Sequence, residues 1–239
     1  MAKVPAGERH PGVQAEGALR SGLPRGCRGL GGTLVGIDVL ILCTANQCRS
    51  PMAEVLLRER LERTGLQVTV ASAGERYVGV RAPGGAIRAM ASRGLVLDEH
   101  RSRQIAVEEL ERADLVLGMA RMHVRAAVVR SPGVFPRAFT LKELVRRGEA
   151  VGARRPDQSL GAWLGVLHAG RRSDELLGDD PADDVADPMG GSDADFEATA
   201  RELESLLDRL VTLAFEPSGP VVAHPQPTRE ITSSPAERP

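Results

Sequence analysis

Aromatic residues are nearly absent from this chain. One Trp, one Tyr and four Phe are spread over 239 residues, so a core has to be built mainly from Leu, Val and Ala. Cysteine is scarcer still. Cys27, Cys43 and Cys48 are too few for a disulfide framework, and their spacing offers no zinc site. No apolar run approaches the ~18 residues that a membrane span needs, and the N-terminus lacks the compact apolar stretch of a signal peptide. An excess of one charge is missing too: the net charge is −1, so overall balance points to neither nucleic acid nor a membrane surface. These absences leave a reducing, cytoplasmic setting as the expectation. No metal or cofactor is implied, and the oligomeric state stays open.

What is present is sharply organised. Residues 1–35 are rich in Gly, Pro, Ala and Arg without periodicity and read as a disordered extension; residues 216–239 are rich in Pro, Ser and Thr and read as a tail. Between them, 36–215, strands and helices alternate. Ile37–Leu42 is a short, mostly apolar run, as in a strand buried on both faces. Arg49–Thr64 carries Met52, Val55 and Leu56 on one helical face and stops at Gly65. Gln67–Ser72 reads as a second strand, Ala86–Arg93 as a helix, Asp114–Gly118 as a third strand leading to a helix that ends at Arg130, and Val134–Thr140 as a fourth, edge strand because of Pro136. Ser192 is a good N-cap for a final helix with Phe196, Thr199, Leu203, Leu207 and Leu210 at helical spacing. The stretch 148–180 fits no simple unit and reads as an insertion, with a short helix at Trp163–His168. The alternation predicts an α/β fold: a doubly wound, three-layer sandwich on a four-stranded parallel sheet, with flavodoxin-like topology.

Charge is unevenly placed. Nine Lys or Arg against two Glu lie between Arg121 and Arg155, and ten acids without a base lie between Asp174 and Glu197. Two solvated faces of opposite sign are the plain reading; a basic rim that attracts a phosphorylated substrate is the sharper one.

The chemistry concentrates where the first strand ends. Cys43-Thr44-Ala45-Asn46-Gln47-Cys48-Arg49-Ser50-Pro51 joins that strand to a helix, at the strand end where doubly wound sheets bind ligands. A helix N-terminus there offers backbone N–H groups and a positive dipole end to an anion. Five residues between Cys43 and Arg49 suit a loop wrapped around a tetrahedral phosphate. The helix end and Arg49 favour the thiolate, the only competent nucleophile. The planar guanidinium of Arg49 can clamp two phosphate oxygens and stabilise charge on the group in transfer. Ser50 can donate to the cysteine sulfur, and Pro51 suits a first helical turn.

The run from Cys43 to Glu54 resembles the signature of the low-molecular-weight protein tyrosine phosphatases. Ser72-Ala73-Gly74, His100-Arg101-Ser102-Arg103-Gln104, and Asp114–Met119 with His123 agree in order. The resemblance covers about 37–145 and 183–215. It implies a phosphocysteine intermediate on Cys43, a loop propped by Asn46 and supported from behind by His100, a phosphorylated protein as substrate, and Cys48 as redox partner of Cys43. It also implies an Asp-Pro general acid just before the last helix. Two such pairs exist, Asp180-Pro181 and Asp187-Pro188; Asp187 has the family-like spacing and is preferred.

Departures touch the substrate. Met189 follows Asp187-Pro188 where many members have Tyr, which leaves Met189 and Tyr77 as candidate pocket walls. Gln47 stands where tyrosine-selective members carry an aliphatic residue and the arginine-phosphate branch carries Thr. Phosphotyrosine is the leading expectation. A phosphoarginine phosphatase, an arsenate reductase of the same fold, and a silent phospho-residue reader remain as alternatives.

Overall fold

The computed structural model describes residues 36–216. The extension expected at 1–35, with Cys27, and all but the first residue of the tail expected at 216–239 lie outside the described residues. Four parallel strands, β1 (Ile37–Cys43), β2 (Val68–Gly74), β3 (Leu115–Gly118) and β4 (Ala138–Thr140), form one sheet in the order β2-β1-β3-β4. Seven α-helices accompany them among the described residues: α1 (Arg49–Glu62), α2 (Gly84–Ala91), α3 (Val107–Arg112), α4 (Arg121–Arg130), α5 (Leu141–Val151), α6 (Leu160–His168) and α7 (Asp193–Ala214).

Burial alternates along β1 as a doubly covered strand requires. Val39 and Ile41 join a core with residues of α1, α2, α5, α6 and α7, whereas Leu40 and Leu42 join a second core with Leu110 of α3 and with Val124 and Ala127 of α4. The expected three-layer sandwich is therefore what forms, with helices on both faces of the sheet. β1 pairs with β2 on one side and β3 on the other, so strand order reverses beside it. The crevice at that reversal, over the carboxyl ends of the strands, is where the fold leaves room for a ligand.

Several boundaries differ from the sequence reading. Residues 134–137 are not strand: Pro132–Arg137 is a 3-10 turn and β4 is confined to Ala138–Thr140, because Pro136 supplies no ladder N–H. Helices α3 and α5 were not anticipated. For α5 a signal exists in Thr140-Leu141-Lys142-Glu143, a capping pattern, and the Thr140 side chain accepts the Glu143 N–H. Helix α7 begins where expected, with Ser192 and Asp195 closing a reciprocal capping box.

The 148–180 stretch is no appendage. Its helix α6 starts at Leu160, three residues before Trp163, and is capped by the Ser159 hydroxyl. Trp163, Leu164 and Leu167 are buried in the same core as α5 and α7, and the indole N–H donates to the Gly152 carbonyl at 3.0 Å. Arg171, just beyond α6, is buried. It donates twice to Glu143, donates to the Phe135 and Ala138 carbonyls, and lies over the Phe139 ring at 4.0 Å. A buried cation so fully paired ties the segment to β4 and α5. Trp163→Ala should accordingly destabilise the whole domain by about 3–5 kcal/mol, the cost of a large core cavity. Urea unfolding followed by circular dichroism measures it, since the change deletes the only tryptophan. A loss below 1 kcal/mol would show the segment to be peripheral.

Candidate functional site

Cys43 closes β1 and α1 starts at Arg49, so the five residues between them turn the chain around the strand end. The turn needs one residue in the left-handed region, and Asn46 takes it at φ 51°, the one non-glycine residue with positive φ among those described. Asn tolerates this conformation better than most residues. Its environment then locks it. Asn46 is fully buried, and every polar group it has is used. Its N–H donates to Cys43 Sγ at 3.2 Å, and its carbonyl accepts from His100 Nε2 at 2.7 Å. The amide nitrogen donates to Ser50 Oγ and Ser72 Oγ, and the amide oxygen accepts the Arg103 N–H at 3.0 Å.

The chain continues outward. Ser50 Oγ donates to Cys43 Sγ at 3.0 Å, and Ser72 Oγ donates to Glu54 at 2.6 Å. Gly74 lies directly beneath the loop: a Cβ there would stand 2.7 Å from Asn46 N and 2.9 Å from the Ala45 carbonyl carbon. Only glycine fits that approach. Asn46, Ser50 and His100, the expected loop supports, are all placed in contact with the loop. Ser72, Gly74, Glu54 and the Arg103 N–H were not singled out as supports; Ser72 and Gly74 had only the repeated Ser-Ala-Gly pattern to mark them.

Arg49 is buried. Its Nη1 donates to the Val185 carbonyl at 3.1 Å and its Nη2 to Asp187 at 2.5 Å, while Nε has no partner. Asp187 also accepts from Cys48 Sγ at 3.7 Å and from the Met189 N–H at 3.1 Å. One of the two Asp-Pro carboxylates is thus paired with the clamp candidate and with Cys48 of the loop that begins at Cys43. The other carboxylate is engaged elsewhere: Asp180 pairs with Arg121 at 2.7 Å. The two pairs, between which spacing already preferred Asp187, thus meet different partners.

Arg121 holds the acid-bearing loop. It bonds Asp183 through Nε and Nη2, its own N–H at the start of α4 donates to Asp184, and Arg146 reaches Asp183 from α5. Arg147 meets Glu143, and Lys142 meets Glu202 of α7. The basic run 121–155 and the first part of the acidic run 174–197 are therefore largely spent on one another and on main-chain carbonyls, while Asp193 and Glu197 meet Arg88 and Arg93. They are neither two solvated faces nor a free basic rim. Val185, buried at the loop's centre, fixes it further by donating its N–H to the Met119 carbonyl. Tyr77 and Met189, the candidate pocket walls, are both exposed.

His123 was noted only as part of a pattern. Fully buried on α4, its Nε2 lies 2.9 Å from Thr44 Oγ1 and its Nδ1 has no partner. Burial, helped by the Arg49 cation, pushes it down to about 3. Burial likewise pushes the Cys48 thiol up to about 12, so Cys48 rests as a neutral thiol.

A cysteine sulfur held by a loop N–H and a hydroxyl at a helix N-terminus, on a loop whose arginine pairs with a carboxylate, fits the class of cysteine-based phosphatases. The comparisons agree. Residues 38–151 match the family model for low molecular weight phosphotyrosine protein phosphatase. A protein-arginine-phosphatase of Bacillus subtilis is 32% identical over 73% of this chain and 94% of its own length. Low molecular weight protein-tyrosine phosphatase A of Mycobacterium tuberculosis is 32% identical over 73% and 89%. Among solved structures, a low molecular weight protein tyrosine phosphatase from T. tengcongensis superposes with a TM-score of 0.56 at 30% identity, covering 74% of this chain and 98% of that one. The chain belongs to the low molecular weight protein tyrosine phosphatase family and is a cysteine-dependent phosphoric monoester hydrolase.

Because His123 is neutral when folded and titrates near its ordinary value when unfolded, its contribution to stability is fully present above pH ~6.5 and is lost as pH falls toward 3. Between pH 7 and pH 4 the wild type should lose roughly 2–3 kcal/mol more than His123→Gln. Urea unfolding at the two pH values checks this. Parallel losses in both proteins would mean that His123 is not held neutral.

Proposed function

We propose that Cys43, Arg49 and Asp187 carry the reaction, with Thr44 to Ser50 as the phosphate-binding loop. The observation behind this is the pairing of Asp187 with Arg49 at the opening of the loop whose Asn46 N–H and Ser50 hydroxyl hold the Cys43 sulfur. Phosphate entering that opening draws Arg49 from Asp187 onto two of its oxygens, with the free Nε as one donor. Cys43 thiolate attacks phosphorus as the P–O bond breaks, and the leaving oxygen takes the proton held by Asp187. Water then attacks the phosphocysteine, Asp187 takes its proton, the S–P bond breaks, and inorganic phosphate departs. A related arginine phosphatase has been captured with a phosphorylated active-site serine in place of its cysteine, which supports an intermediate of this kind.

The preferred substrate is phosphotyrosine on a protein, supported by tyrosine-phosphatase relatives and by the exposed ring of Tyr77 beside the loop. Phosphoarginine is the second reading. It is favoured by Gln47, a half-buried polar side chain at a selectivity position, and by the arginine-phosphatase relative. Arsenate reduction is less well supported, because Cys43 and Cys48 are the only cysteines among the described residues and that chemistry needs a further thiol to relay the disulfide. Cys48 remains the candidate to trap an oxidised Cys43, once the neutral thiol gives up its proton.

Turnover of p-nitrophenyl phosphate tests the chemistry and excludes a silent reader. Cys43→Ser should abolish it while phosphate still binds; activity within tenfold of wild type would remove Cys43 as nucleophile. Asp187→Asn should slow aryl phosphates with poor leaving groups at least tenfold more than p-nitrophenyl phosphate, since only they need the proton. A matching pattern in Asp180→Asn, with Asp187→Asn normal, would move the acid.

Parallel kcat/KM values for one peptide sequence carrying phosphotyrosine or phosphoarginine decide the substrate. A tenfold advantage for phosphoarginine would overturn the preferred reading.

A further inference from the structure

Next to the phosphate loop, the segment that follows β2 rises as a ridge. The Glu75 N–H donates to the Thr44 carbonyl, which binds the ridge to the loop. Arg81 and Arg101 then pair across an antiparallel bridge, and Ser102 bonds the main chain of Gly79 and Val80. Three apolar side chains stand on this braced backbone in water: Tyr77, Val78 and Val80, at 48%, 69% and 41% exposure. Clustered exposure of this kind marks contact surfaces more than single exposed residues do.

The arginines of the ridge are more informative. Elsewhere the guanidiniums near the site are matched by carboxylates, as for Arg49, Arg103 and Arg121. On the ridge, among the described residues, neither Arg81 nor Arg101 forms an ion pair. Both instead donate to the same oxygen, the Asp98 carbonyl, each at 3.2 Å. The two donor nitrogens cannot be further apart than twice that distance. Two like charges so close repel unless an anion lies between or over them, and a pair of forked guanidiniums suits a carboxylate. Exposed Arg76 adds a third cation beside Tyr77.

Resting on the phosphatase reading above, we propose that this ridge is a substrate-docking surface. It takes an acidic segment flanking the phosphorylated residue, whose side-chain carboxylates lie on Arg81 and Arg101 while its apolar atoms lie on Tyr77, Val78 and Val80. The ridge is then a specificity element separate from the phosphate pocket, and it acts on binding of protein substrates without touching the phosphorus.

The test compares phosphopeptides of one core sequence with two Glu or two Ala on each side of the phosphorylated residue, in wild type, R81E/R101E and R81K/R101K, with p-nitrophenyl phosphate as a flank-free control. Wild type should prefer the acidic peptide at least fivefold in kcat/KM, mostly through KM, and the preference should shrink as salt rises. R81E/R101E should abolish or invert the preference, R81K/R101K should retain most of it, and p-nitrophenyl phosphate turnover should stay within twofold throughout. Equal use of both peptides by wild type, a preference that survives charge reversal, or a phosphate group at the flanking positions outperforming Glu would each overturn the proposal. Failure of the phosphatase reading is distinguishable, because wild type would then leave p-nitrophenyl phosphate untouched as well.

Discussion

Everything at this site depends on keeping one buried residue in an unfavourable backbone conformation. Asn46 sits at positive φ, which costs an L-residue of order 1 kcal/mol. A loop of five residues cannot turn from a strand end into a helix start around an anion without such a residue. Asn46 offsets the strain with five hydrogen bonds, three from its side-chain amide to Ser50, Ser72 and the Arg103 N–H and two from its main chain to Cys43 and His100. Remove the amide and Ser50, Ser72 and the Arg103 N–H each lose a partner in a dry interior, where unpaired polar groups are costly. The sulfur of Cys43 is aimed by the same network, because two of its donors, the Asn46 N–H and the Ser50 hydroxyl, are members of it.

A second constraint positions the acid. The loop carrying Asp187 has little regular structure of its own, yet it holds a carboxylate against Arg49. Its anchors are electrostatic and apolar together: Asp183 and Asp184 on Arg121, Arg146 on Asp183, and Val185 packed into the core. Asp183 is held below the usual carboxylate range; burial opposes this, and the hydrogen bonds and charges of Arg146 and Arg121 outweigh it. A buried pair of this kind is weak evidence of added stability but good evidence of fixed geometry. In the absence of phosphate, Arg49 and Asp187 neutralise each other across the opening, so a substrate has to separate them.

Much of this was legible in the chain. The apolar run before Cys43, the Cys-to-Arg spacing and the Ser-Pro at the helix start specify a strand, an anion loop and a helix, because each depends on residues within about ten positions. The final helix was equally plain, since Ser192, Asp195 and the Phe196–Leu210 spacing are local signals. Helices α3 and α5 were less visible. The first is a turn and a half, mostly exposed, and the second is interrupted by Gly148 and by Arg146, whose partner Asp183 lies far along the chain. The 148–180 stretch looked like an insertion because Trp163 and Arg171 reveal their purpose only against Gly152, Glu143 and Phe139.

What sequence alone determined is therefore the strand, the anion-type loop and the helix that follows it, together with the α/β class, all read from short-range stereochemistry and periodic burial. Spacing before the last helix preferred Asp187 over Asp180, but what each carboxylate meets was decided in three dimensions. Both precede proline in an acidic run, and only the folded chain shows one facing Arg49 and the other bound to Arg121. The fate of the charged runs was also tertiary. Composition counts charges, but Coulomb energy depends on distance, and distance is decided by how α4, α5 and the acid loop pack. The same reason hid Arg81 and Arg101, two arginines among many, until the fold brought both onto one carbonyl oxygen with no carboxylate to answer them.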